Sequence, residues 1–200
     1  MPTLFILAGP NGAGKTTYYT NAIEQNFIDP HLPFINVDLI ALKELGGYTE
    51  ENFAQANLFA RERIGRHLKS GEDFMIESNL AVQSNYDWIE NVIKQGYNVI
   101  LYFLCTSLLT INIERIQERV LEGGHYIPDN IVEHRYKMGL TYLKSKIFIF
   151  KEVYLIDTTY DTAQLMTIIK DGKIELKNSN SPAWVNDVLF LFEKLMEKNK

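Results

Sequence analysis

Residues 9–16 read GPNGAGKT, and Gly9-x4-Gly14-Lys15-Thr16 matches the Walker A pattern without a mismatch. In such a loop the glycines let backbone N–H groups turn inward around phosphate oxygens, and the following helix N-terminus adds partial positive charge. Lys15 is expected to reach the β- and γ-phosphates, and the Thr16 hydroxyl to ligate Mg²⁺. The expected nucleotide-binding set is Gly9, Pro10, Asn11, Gly12, Ala13, Gly14, Lys15, Thr16 and Thr17, with ATP and Mg²⁺ as the ligands. The glycines fall at 9, 12 and 14, which fails the G-x-G-x-x-G dinucleotide fingerprint. Neither an Asn-Lys-x-Asp guanine reader nor a Leu-Ser-Gly-Gly-like transporter signature is present. These absences favour a small kinase, in which an acceptor hydroxyl faces the γ-phosphate.

Two carboxylates stand where an acceptor would be met. Asp38 closes the apolar run FINVD and Glu77 closes FMIES, at the carboxyl ends of expected strands, where α/β proteins collect their ligands. A charge in such a place is costly unless it is used or paired. Asp38 could accept the proton of an attacking hydroxyl, and Glu77 could orient the substrate or hold a metal-bound water. The structural alternative is an N-cap for the next helix, which suits Asp well and Glu poorly. Arg115 and Arg119 lie four apart in IERIQERV and share a helical face. They could offset charge on a γ-phosphate, or form a solvated, ion-paired face with Glu118 and Glu122. Composition leaves those two readings open. Gly123-Gly124-His125 then precedes a helix opening on Pro128, as a bending lid would. Arg135 flanks that helix's apolar stripe, so it points into a cleft or lies along the surface.

The elements that must position these residues alternate. TLFILAG, PFINVD, DFMIES, NVILYFLC and EVYLID read as strands, with helical stretches between them. NVILYFLC is apolar on both faces, as a central parallel strand must be. The expectation is an α/β fold: a P-loop kinase-like core with a mainly parallel five-stranded sheet, helices on both faces, and a C-terminal β-hairpin and helix. The hairpin turns on Asp171-Gly172. Ser181-Pro182 starts a last helix whose apolar face includes Val185, Leu189, Phe192 and Met196. One kinase domain is expected over residues 1–200, its core at about 1–157 and the hairpin and helix at about 158–200.

Composition narrows the setting. Hydrophobic residues at 46% and charged ones at 22% are globular proportions. A net charge of −5 argues against broad nucleic-acid binding, which needs a basic stripe. The single cysteine, Cys105, sits in an apolar run and reads as a buried small hydrophobe. No apolar run reaches the length of a membrane span, and a cytoplasmic protein is expected.

The stretches AGPNGAGKTT, INVDLIA, FMIESNL, GYNVILYFL and RIQERVLEGGHYIPDNIVEHRY resemble the short, single-domain branch of the zeta-toxin-like P-loop kinases, over residues 1–157. That resemblance implies ATP-dependent phosphorylation of a sugar-nucleotide hydroxyl, as in UDP-N-acetylglucosamine. A toxin role is a further step, which depends on a small neutralising antitoxin protein as partner. Asp38 would be the general base, Glu77 would stand at the substrate, and Arg115 would contact ATP phosphates, with Arg119 and Arg135 matching the branch's own pattern. Ser78 and Asn79 replace an expected Gly-Thr or Thr-Thr pair and should shape the acceptor pocket. The alternatives are a kinase of a nucleoside, an antibiotic or a polynucleotide end, and a nucleotide-dependent binding module without transfer activity.

Overall fold

The eight residues Asn98–Cys105 form β4, the strand on which the sheet is centred. In the computed structural model, which describes residues 1–198, β4 pairs in parallel with β1 (Thr3–Ala8) and β5 (Glu152–Asp157). On its far side β1 pairs with β3 (Phe74–Ser78), which pairs with the two-residue strand β2 (Phe34–Ile35). The parallel order is β2-β3-β1-β4-β5. The sheet does not stop at the expected five strands. β6 (Gln164–Lys170) and β7 (Lys173–Lys177) extend it antiparallel to seven. Their turn is the expected one: Asp171 and Gly172 both take positive φ, 45° and 73°, as a two-residue hairpin requires.

Helices lie on both faces, but unequally. One face presents Leu4, Ile6, Phe74, Ile76, Val99, Leu101, Phe103, Val153 and Leu155. Against it pack α3 (Glu50–Ser70), α4 (Gln83–Lys94), α6 (Asp129–Lys146) and α7 (Ala183–Lys198). The other face presents Leu7, Met75, Leu104 and Ile156 to α1 (Lys15–Glu24). On the same face Tyr102 and Tyr154 stack at 4.8 Å and pack, with Tyr18 of α1, against that cluster. Their rings cover apolar strand surface, and the Tyr154 hydroxyl donates to Glu152 Oε2 at 2.7 Å.

Two further helices stand off the sheet. α2 (Val37–Lys43) packs beside α3. α5 (Leu109–Leu121) has a small core of its own, Ile116 with Ile127 and Val132. α7 lays the expected residues Val185, Leu189 and Phe192 on the sheet, with Met196 at their margin. Trp184 Nε1 donates to Asp157 Oδ1 at 3.1 Å, which ties α7 to the end of β5. Cys105 is fully buried, and burial pushes its thiol up to about 12, the inert state expected of it. No described helix is long and apolar enough to cross a membrane.

Leu101 is completely buried at the centre of β4. Leu101→Ala is expected to remove about 2–5 kcal/mol of stability, read as a lower urea midpoint with an unchanged denaturant slope.

Candidate active site

The chain leaves β1 through two glycines that have no space for a side chain. A Cβ on Gly9 (φ +138°) would lie 2.0 Å from the Leu104 carbonyl oxygen, and one on Gly12 (φ +77°) 2.3 Å from that of Asn112. The loop is thus seated directly on the backbone of β4 and α5, in conformations that L side chains rarely adopt. α1 starts at once after it. Its first bond back to the loop runs from Tyr18 N–H to Gly14 C=O at 2.9 Å. The amides of Lys15, Thr16 and Thr17 therefore have no helical acceptor. No side chain caps this end and no acidic residue occupies its first turn, which leaves it open to an anion.

Side chains invisible as site residues in the sequence hold the loop from beneath. The buried Asn112 donates from Nδ2 to the Asn11 carbonyl at 2.7 Å, and its Oδ1 accepts from the Thr106 hydroxyl. Thr158, just past β5, donates to the Ala13 carbonyl at 3.0 Å. Tyr136 of α6 donates to the Thr106 carbonyl at 2.8 Å.

Lys15 is buried, and its ammonium donates to the carbonyls of Gly9 (2.8 Å) and Pro10 (3.1 Å) and to Asn79 Oδ1 (3.4 Å). Glu77 Oε1 lies 3.6 Å away. Burial is the largest influence on both charges, lowering the Lys15 pKa below its usual value and raising that of Glu77, while their attraction opposes both shifts. The other oxygen of Glu77 accepts from Asn36 Nδ2 at 2.5 Å.

Asp38 is in the expected neighbourhood but on a different element. FINVD is not a strand to its end: β2 stops at Ile35, and Asp38 stands in the first turn of α2. The cap of that helix is Asn36, whose Oδ1 accepts from Leu39 N at 3.0 Å. Asn36 thus anchors both α2 and Glu77, a role the Asn-x-Asp spacing signals as an N-cap. After Glu77 the backbone turns sharply. Leu80 takes φ +47°, and its N–H donates to Ser78 Oγ at 3.1 Å. A buried leucine in that region is strained, and the turn brings Ser78 and Asn79 onto the site wall.

Two cavities meet here. The first, about 460 Å³, is lined by Gly12, Gly14, Lys15, Thr16 and Thr17 with Arg115 and Arg119. The second, about 530 Å³, is lined by Ser78, Asn79, Phe53, His125, Arg135 and their neighbours. Asn11, Asp38 and Glu77 belong to both. Arg115 and Arg119 thus line the same cavity as the phosphate loop, as do Glu118 and Glu122, and among the described residues neither arginine pairs with either glutamate. Arg119 instead donates to the His125 carbonyl at 2.7 Å. The His125 ring packs 4.6 Å from Phe53, and burial holds it below the usual histidine value.

No family model matches the chain. Over 132 residues, 64% of the chain, it is 30% identical to an uncharacterized protein of Haemophilus influenzae, of which the match covers 88%. The chain belongs to that protein's family. Among solved structures it is similar to the AvrRxo1-ORF1:-ORF2 complex with ATP, with a TM-score of 0.67 and 18% identity. That match covers 99% of this chain and 63% of the other, so the chain spans less than two thirds of its length. The PezAT chromosomal toxin–antitoxin system of Streptococcus pneumoniae gives a TM-score of 0.60 at 20% identity, covering 99% and 87%. These likenesses show the fold, a P-loop kinase-like α/β core.

A triphosphate favours the charged form of Lys15, whose pKa in the free protein lies below 10.5. The free-energy advantage is present below that lowered pKa and is lost as pH rises through it. ATP affinity is therefore expected to fall with rising pH, beginning below the ordinary lysine value, by up to about tenfold per pH unit. Nucleotide titrations from about pH 7 to 10 test this. Lys15→Ala is expected to bind weakly throughout and without that slope.

Proposed function

We propose that the chain is an ATP-dependent kinase that transfers the γ-phosphoryl group to a hydroxyl of a small molecule. The observation that carries this is the meeting of two cavities at Asn11, Asp38 and Glu77. A nucleotide-binding module without transfer would need only the first cavity. A kinase needs a second one that opens onto the end of the triphosphate, with a carboxylate at the junction.

In this reading Lys15 and the free amides of the loop hold the triphosphate, and Arg115 and Arg119 offset its charge. The residues also fit a hydrated Mg²⁺. Thr16 offers an exposed hydroxyl at the head of α1, and a Mg²⁺ ion takes its remaining oxygens from phosphate and water rather than from a protein cage. When bound, the ion supplies positive charge at the phosphates. Asp38 accepts the proton of the acceptor hydroxyl as its oxygen bonds to phosphorus, and the bond from phosphorus to the β–γ bridging oxygen breaks to release ADP. Most of the rate comes from placing the two reactants in line.

A sugar nucleotide such as UDP-N-acetylglucosamine is the acceptor that the zeta-toxin-like resemblance supports. Ser78, Asn79, Glu77 and Arg135 would form its wall. The likeness to the PezAT toxin–antitoxin structure supports a small neutralising protein as partner, and the cytoplasm is the compartment we assign.

Incubation with labelled ATP and a panel of sugar nucleotides, nucleosides, antibiotics and polynucleotide ends, read by mass spectrometry, identifies the acceptor. Asp38→Asn is expected to lower turnover at least about 10²-fold while ATP still binds. Near-normal turnover in that variant would show that Asp38 is not the base.

A further inference from the structure

Asn11 stands at the tip of the phosphate loop, 9% exposed, and is anchored from two helices. From α5, Asn112 Nδ2 donates to its backbone carbonyl at 2.7 Å. From α6, Arg135 Nη1 donates to its Oδ1 at 2.9 Å. The second contact fixes the carboxamide. A guanidinium has five donors and no acceptor, so the oxygen must face Arg135 and the NH₂ group must face away. Among the described residues no acceptor meets Asn11 Nδ2, and Asn11 lines both cavities.

The two other residues shared by the cavities are Asp38 and Glu77. A carboxylate can take a proton or orient a hydroxyl, but it cannot stabilise negative charge developing on phosphoryl oxygens. Arg135 lines only the second cavity. A Walker A loop holds phosphate through its backbone, and its pattern leaves the identity of this side chain open. The fixed NH₂ group of Asn11 is therefore a donor already oriented at the junction, where such a group has most effect on a charged transition state.

We propose that Asn11 Nδ2 donates a hydrogen bond to the phosphoryl group in transfer, and that Arg135 is the positioning residue that aims it. This rests on the kinase reading of the site. It gives Arg135 a task through Asn11 in addition to its place on the acceptor wall. The guanidinium also polarises the amide it holds, which strengthens the donor.

Calorimetric titration of the full chain with Mg²⁺-ADP, and with Mg²⁺-ADP plus aluminium fluoride as a mimic of the phosphoryl group in flight, tests this without an identified acceptor. The readout is the ratio of the two affinities. The wild-type chain is expected to bind the fluoride complex more tightly than ADP, and Asn11→Ala to lose about tenfold or more of that preference. Arg135→Ala is expected to lose part of it and Arg135→Lys to recover it, since an ammonium can still donate to Oδ1. Asn11→Ser, with too little reach to replace the amide, should match Asn11→Ala and guards against a disturbed loop. An unchanged preference in either Asn11 variant overturns the donor assignment, and an unchanged preference in Arg135→Ala overturns the positioning role. A wild-type chain with no preference for the fluoride complex overturns the kinase reading as well.

Discussion

A charged ammonium has to be kept where burial disfavours it, and much of the site is arranged around that requirement. Lys15 is held by two carbonyls of its own loop, by Asn79 and by Glu77. Each of these contacts fixes a further segment. The carbonyls hold the loop's curvature, Asn79 fixes the turn after β3, and Glu77 draws in Asn36 and with it the start of α2. A buried charge of this kind is costly unless fully partnered, so the partners are specified together. In the proposed kinase a triphosphate would supply the countercharge that protein groups supply here.

The topology explains why these segments meet. The chain runs from β1 to β2 and β3 on one side, then crosses to β4 and β5 on the other. Loops leaving β1 and β4 in opposite directions open a crevice at their carboxyl ends. The phosphate loop fills that crevice closely enough that Gly9 touches the backbone of β4. The sheet thereby forms a floor, and the second cavity is walled by the ends of β3, α2 and α6 around it.

The phosphate loop was legible in the sequence because physical demands fix its residue types: glycine where a Cβ has no room (Gly9, Gly12) or φ is positive (Gly14), and lysine where a charge is needed. The alternating core strands were legible because burial on both faces leaves a continuous apolar run. Asp38 was found as a residue but assigned to the wrong element, since a two-residue strand followed by an Asn-capped helix looks like one longer apolar run. The hairpin was visible in Asp171-Gly172, yet its docking on β5 was not, because strand pairing between distant segments leaves no local mark. Asn112 and Thr158 were missed because single polar residues read as surface. Asn112 does lie four residues before the buried Ile116, so helical periodicity placed it on the buried side, where an asparagine calls for a hydrogen-bonding partner.

The small core of Ile116, Ile127 and Val132 shares no residue with the two cores on the sheet. α5 is therefore fastened in two different ways: Asn112 locks its beginning to the phosphate loop, and its later turns rest on a few apolar groups and on the bonds between Arg119 and the Gly124–His125 segment. Segments with few buried apolar contacts open locally at a lower free energy than the whole fold. In the proposed kinase, the residence time of a nucleotide held by the loop and by Arg115 and Arg119 would be altered by changing Ile116, Ile127 or Val132, none of which lines the first cavity.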